Sequence, residues 1–131
     1  MQEKKITRIK ITDSQEIQSY LITFFKIVGN RRFEDALNSF KKLIGFSTDY
    51  ESILFKSDLK ECGLEAFESY SEIGERQIEL SRDLFAVKEE VYMYISFEVL
   101  YDFLKEWIIE QHDNNPKLLI LLEEVKIALE V

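Results

Sequence analysis

The amino-acid sequence predicts an α+β fold: an N-terminal helical hairpin, an antiparallel sheet of three to four strands and two C-terminal helices. Three observations lead there. Apolar residues recur at helical spacing near both ends of the chain, and they alternate at the two-residue period of strands in the middle. Glycines punctuate the junctions, at 29, 45, 63 and 74. Helices and strands come in blocks rather than alternating, which favours α+β over a parallel α/β sheet. A chain of 131 residues suits one domain, 1–131, and buries roughly two-thirds of its unfolded surface without cross-links.

The first helix starts at Asp13. Asp13 and Glu16 match a capping box, and Ile17, Tyr20, Leu21, Phe24, Phe25 and Val28 follow at helical spacing. Gly29 can take the left-handed conformation that ends a helix. Asn30 can then cap a second helix, with Phe33, Ala36, Leu37, Phe40 and Ile44 inward and Gly45 at its end. Two helices joined at Gly-Asn make an αα-hairpin.

Strands are expected next. "YESILFK" is rich in strand formers, and "KSDLKECG" reads as a polar turn. "LEAFESYS" and "RQIELSR" are separated by "EIGE", a hairpin signal through Gly74. A helical reading competes there, because Glu65, Glu68, Glu72, Glu75 and Glu79 recur every three or four residues. Strands are preferred, since an uncompensated glutamate stripe would repel itself. "VKEEVYMYIS" is apolar or aromatic on both faces, as an inner strand is.

Ser96 can cap the next helix, with Phe97, Leu100, Tyr101, Leu104 and Ile108 inward. Val99, Phe103 and Trp107 widen that stripe, leaving a flank for another element or a partner. Asn115 and Pro116 open the last helix, whose inner stripe is Leu118, Leu119, Leu122, Val125 and Leu129.

Charge and composition exclude several function classes. The net charge is −8 and unevenly spread: residues 1–60 carry +3, 61–110 carry −9 and the rest −2. An acidic middle repels phosphate backbones and attracts basic proteins. The lone Cys62 excludes an intramolecular disulfide and a cysteine zinc site, and fits a reducing cytosol. The segment "MQEKKITRIKITD" lacks the apolar stretch of a signal peptide, and the longest apolar run, "LLILL", is too short for a bilayer. A cytoplasmic protein with no membrane or nucleic-acid partner is expected.

Chemistry-bearing motifs are scarce. His112, the only histidine, sits in a polar helix-ending segment and suits a solvent-exposed role or one at the helix dipole. Cys62 before Gly63 reads as incidental. No metal-ligand pair, Walker loop or GxGxxG occurs. Lys4, Lys5, Arg8 and Lys10, with Arg31 and Arg32, read as solvated faces. No cofactor is expected, and no enzymatic activity. A hydrolase built on clustered carboxylates stands as a weak third reading, behind a non-catalytic adaptor or self-associating structural domain.

The leading reading comes from the C-terminal third. "EEVYMYISFEVLYDFLKEWIIEQHDNNPKLLILLEEVKIAL" resembles the ending of CdiI-type immunity proteins, which protect bacteria from ribonuclease toxins of contact-dependent growth inhibition. The resemblance rests on the apolar strand Val91 to Ile95, Ser96, the aromatic helix from Tyr101 to Lys105, Asn115-Pro116 and the Leu-rich run Leu118 to Leu129. It implies a monomer that binds a basic nuclease toxin one-to-one and occludes its active site or substrate groove. On that reading the acidic middle binds toxin through Glu65, Glu68, Glu72, Glu75, Glu79 and Asp83, with Tyr70 as an aromatic anchor.

Overall fold

The computed structural model describes residues 7–61, 68–84 and 88–131. Along the chain come β1 (Thr7–Lys10), α1 (Ser14–Phe40), β2 (Phe46–Ser47), β3 (Glu51–Phe55), α2 (Lys56–Glu61) and α3 (Glu68–Glu72). Then follow β4 (Gln77–Leu84), β5 (Glu89–Ser96), α4 (Phe97–Gln111) and α5 (Pro116–Leu129). The class is α+β, with a five-stranded mixed sheet in the order β1-β5-β4-β3-β2.

The sheet departs from the antiparallel one expected. β2 to β5 pair antiparallel, but β1 lies parallel to β5, with Arg8 opposite Glu90 and Lys10 opposite Tyr92. β1 is a four-residue edge strand with every residue at least partly exposed, and its signal is Arg8 and Lys10 alternating with Ile9 and Ile11. Charged side chains on a short edge also discourage pairing with another chain. β5 is an inner strand, as its two-sided apolar pattern requires.

The two N-terminal helices expected as a hairpin run together as α1, broken at Gly29 (φ 72°, ψ 171°) rather than joined by a separate loop, a conformation that favours glycine. The break is sharp. Phe25 and Phe40 would sit roughly 22 Å apart along a straight helix, yet their rings are 6.5 Å apart. Asp13 caps the run by accepting from the Glu16 N–H.

Two further segments differ. "KSDLKE" is the helix α2 rather than a turn, because Leu59 is buried and Asp58 Oδ2 accepts from the N–H groups of both Gly45 and Phe55. Gly45 has to be glycine, since a Cβ there would lie 2.2 Å from the Ile53 carbonyl oxygen. The second departure is at residues 68–71, the described part of "LEAFESYS", which are helical in α3 rather than strand. The remainder of the "LEAFESYS" expectation, with Cys62 and Gly63, lies outside the described residues.

The sheet's inner face carries two apolar rows: Ile53–Leu80–Met93 and Phe55–Ile78–Ile95. α1, α4 and α5 pack over them in one core. Phe55 links the layers, with its ring against Phe40 and Phe97. Each such ring contributes about 1.5–3 kcal/mol by leaving water. The caps hold as read: Ser96 Oγ accepts from Val99 N–H, and Asn115 Oδ1 accepts from Lys117 and Leu118 N–H. The sheet's other face is left for charged and aromatic side chains.

Candidate functional site

On the outer face, β1 sets Arg8 and Lys10 against the acidic middle. Arg8 Nη2 donates to Glu79 Oε1 at 2.8 Å, its Nε lies 3.5 Å from Glu90 Oε2, and its guanidinium stacks 4.0 Å from the Tyr92 ring centre. Lys10 Nζ donates to Glu72 Oε2 at 2.9 Å, and the Tyr94 hydroxyl donates to Glu72 Oε1 at 3.1 Å. These cations are therefore not solvated faces; they hold an edge strand by charge. Lys10 answers Glu72 at the end of α3, and Lys56 answers Glu75 just beyond it.

The expected contact residues are placed unevenly. Glu65 lies outside the described residues, and Glu68 opens α3. Tyr70 is half-buried, with Lys56 Nζ 5.0 Å from its ring centre. The same Lys56 donates to Glu75 at 3.1 Å, so Tyr70 and Glu75 share a cation. Glu72 is held below the usual carboxylate range by the Lys10 hydrogen bond. Glu79 is 4% exposed, and burial raises its carboxyl against the pull of the Arg8 hydrogen bond. Asp83 is exposed and stands at the far end of β4. Glu72 and Glu79 are thus gathered by β1, and Tyr70 and Glu75 by Lys56.

A second acidic surface runs along α4. Glu98, Asp102, Glu106 and Glu110 are spaced four apart and exposed, so they form one ridge. Glu98 accepts from Arg76 at 2.6 Å. Asp102, Glu106 and Glu110 pair with no cation among the described residues. The ridge borders a cavity of about 570 Å³ between α1 and α4. Phe103 and Trp107 floor it, with rings 5.6 Å apart and stacked, and Phe25 stacks on Phe103 at 5.4 Å. Ile22 and Val99, 38% and 39% exposed, form its apolar lips. Lys26 is the one basic residue lining it.

The sequence marks the Val99–Phe103–Trp107 flank but not this acidic ridge as a place for a partner. The signal was present in the same i, i+4 spacing that drew attention to residues 65–79. Lys105 is the only cation on α4.

Other candidates are quieter. His112 stacks on Phe33 with ring centres 4.7 Å apart, and burial lowers its pKa, so it is a packing residue rather than a charge at the helix dipole. Glu51 is 2% exposed on the sheet's inner face, and neither carboxylate oxygen has a hydrogen-bond partner among the described residues. Burial raises its pKa, opposed by the charge of Arg82 across the strand pair. No group of three or more acidic, histidine or cysteine side chains among the described residues could hold a metal ion. No helix among them is long and apolar enough to cross a membrane.

A family model described as CDI immunity protein matches residues 14–115. Both acidic surfaces fall inside that span, while β1 and α5 lie beyond it. No curated protein and no solved structure matches the chain.

Proposed function

The chain belongs to the CDI immunity proteins, those of contact-dependent growth inhibition, and from that premise we propose that it neutralises a basic nuclease toxin, a ribonuclease. It acts as a one-domain monomer that binds the toxin one-to-one and covers its active site or substrate groove. Binding alone does this, in the cytoplasm, without catalysis or a cofactor. The observation that carries the reading is the surplus of exposed carboxylate on a chain of net charge −8. Such a surface stands in for RNA phosphates and speeds capture of a cationic enzyme.

The acidic middle is the proposed capture surface: Glu65, Glu68, Tyr70, Glu72, Glu75 and Asp83. Glu79 serves it from beneath by holding Arg8 and with it β1. The test is a ribonuclease assay with the purified toxin domain. Equimolar protein is expected to abolish cleavage; full activity with the protein in excess would rule the reading out for that toxin.

A second reading, self-association as an adaptor or structural domain, is favoured by Ile120 and Ile127, 64% and 74% exposed on α5. Sedimentation decides it: a monomer at every concentration removes self-association.

A further inference from the structure

We propose that the groove between α1 and α4 is the seat into which the toxin inserts a basic, apolar-tipped segment, an inference that rests on the immunity reading above. Charge chooses the occupant. Asp102, Glu106 and Glu110 line one cavity with Lys26 as the basic residue there, and none of the three forms an ion pair within 4.0 Å among the described residues. Their placement weakens the helix that carries them. Like charges four residues apart repel, and acids toward a helix C-terminus oppose its dipole. α4 has no basic residue in its last turn to offset this. A feature that breaks local rules with no ion pair among the described residues to offset it marks a surface whose complement lies outside the chain.

The floor supplies what charge alone does not. Stacked Phe103 and Trp107 under the half-open lips of Ile22 and Val99 form an apolar slot, the setting in which a few anchors dominate a protein interface. Acidic sides and an aromatic floor fit a lysine or arginine whose stem packs on the rings while its charge meets the ridge. A second copy of this chain fits poorly, since it would bring the same acids and a net charge of −8 to the same place.

The groove shares a wall with a second cavity. Gln18 and Val99 border both the groove and this smaller cavity of about 170 Å³ lined by Tyr94, whose hydroxyl reaches Glu72. The acidic middle attracts and the groove holds.

The probe is the purified C-terminal toxin domain of a contact-dependent inhibition effector, chosen from a panel as the one whose toxicity the wild-type protein lifts. Its binding is followed by interferometry at low and high salt. The triple variant Asp102→Lys, Glu106→Lys, Glu110→Lys is expected to slow association at least tenfold and flatten its salt dependence. Val99→Asp and Ile22→Asp, at partly exposed positions, are expected to speed dissociation about tenfold. Lys26→Glu is expected to speed association about twofold, a gain that misfolding cannot mimic. Trp107 is the chain's one tryptophan, so 5-fluorotryptophan labelling yields a single fluorine resonance, expected to move when unlabelled toxin is added. Wild-type rates in the groove variants, or an unmoved resonance, overturn the groove while leaving the immunity reading intact. Protection against no toxin in the panel defeats that reading, and the groove proposal with it.

Discussion

On the outer face of the sheet, Glu72 and Glu79 meet Lys10 and Arg8 within 2.9 Å. Along α4, Asp102, Glu106 and Glu110 meet no cation among the described residues. Both rows are acidic and both are spaced by simple repeats, yet they do opposite work. In the first, Glu72 and Glu79 pair with cations of their own chain and tie an edge strand to the sheet, while Glu72 stays exposed on the proposed capture surface. The second makes no ion pair among the described residues, and its like charges toward the C-terminal end work against its own helix. Counting carboxylates along a chain therefore does not locate a binding surface; what matters is which of them the fold has already answered.

The largest expected effect tests the internal row. Arg8→Met leaves Glu79 buried without its partner and is expected to cost about 2–3 kcal/mol in urea unfolding at neutral pH, below the range for fully buried pairs because Arg8 is partly exposed. The cost should shrink in acid, where Glu79 takes up a proton. A neutral Arg8→Met would show that the pair does not hold β1.

Glu51 sharpens the contrast, being buried with no hydrogen-bond partner among the described residues. Glu51→Met is expected to raise stability by about 1–2 kcal/mol at pH 7. The sign follows from its raised pKa. The folded chain holds that proton more tightly than the unfolded one, so ionised Glu51 destabilises, increasingly as pH climbs from the ordinary carboxylate range through its folded pKa. The gain should thus fade on acidification. Equal gains at pH 7 and in acid would contradict it.

On the ridge, Glu106→Lys relieves repulsion from Asp102 and Glu110 and is expected to stabilise by about 0.5 kcal/mol while weakening toxin binding. A substitution that stabilises the fold and harms function would separate the two acidic rows more sharply than any loss of both. If thermal unfolding shows Glu106→Lys to be destabilising, the ridge is answered inside the molecule after all.

The smallest effect belongs to His112. Its pKa is lowered by burial, so the folded chain binds that proton less well than the unfolded chain. Stability is expected to be complete above the ordinary histidine range and to decline as pH falls through it toward the folded pKa. NMR titration of the imidazole checks this, and a folded pKa at or above the ordinary value would refute it.

Much of the framework was legible in the sequence. Asp13, Ser96 and Asn115 announced the helix starts, Gly29 announced the break, and "EEVYMYIS" announced an inner strand. Each depends on partners a few residues away. The misreadings share one cause. The cations of β1 have the pattern of a solvated face, and the glutamates of residues 68–71 have the pattern of an uncompensated stripe. The compensating partners are 62 residues away for Lys10–Glu72 and 71 for Arg8–Glu79, beyond the reach of any local pattern.

The sequence by itself determined the α+β class, the caps, the apolar stripes and an acidic chain without a metal or nucleotide motif, because spacing and composition suffice for those. Only the tertiary structure decided which acids are answered and which are left facing solvent. Whether a carboxylate is free depends on the distance and burial of groups far along the chain, and folding alone sets both.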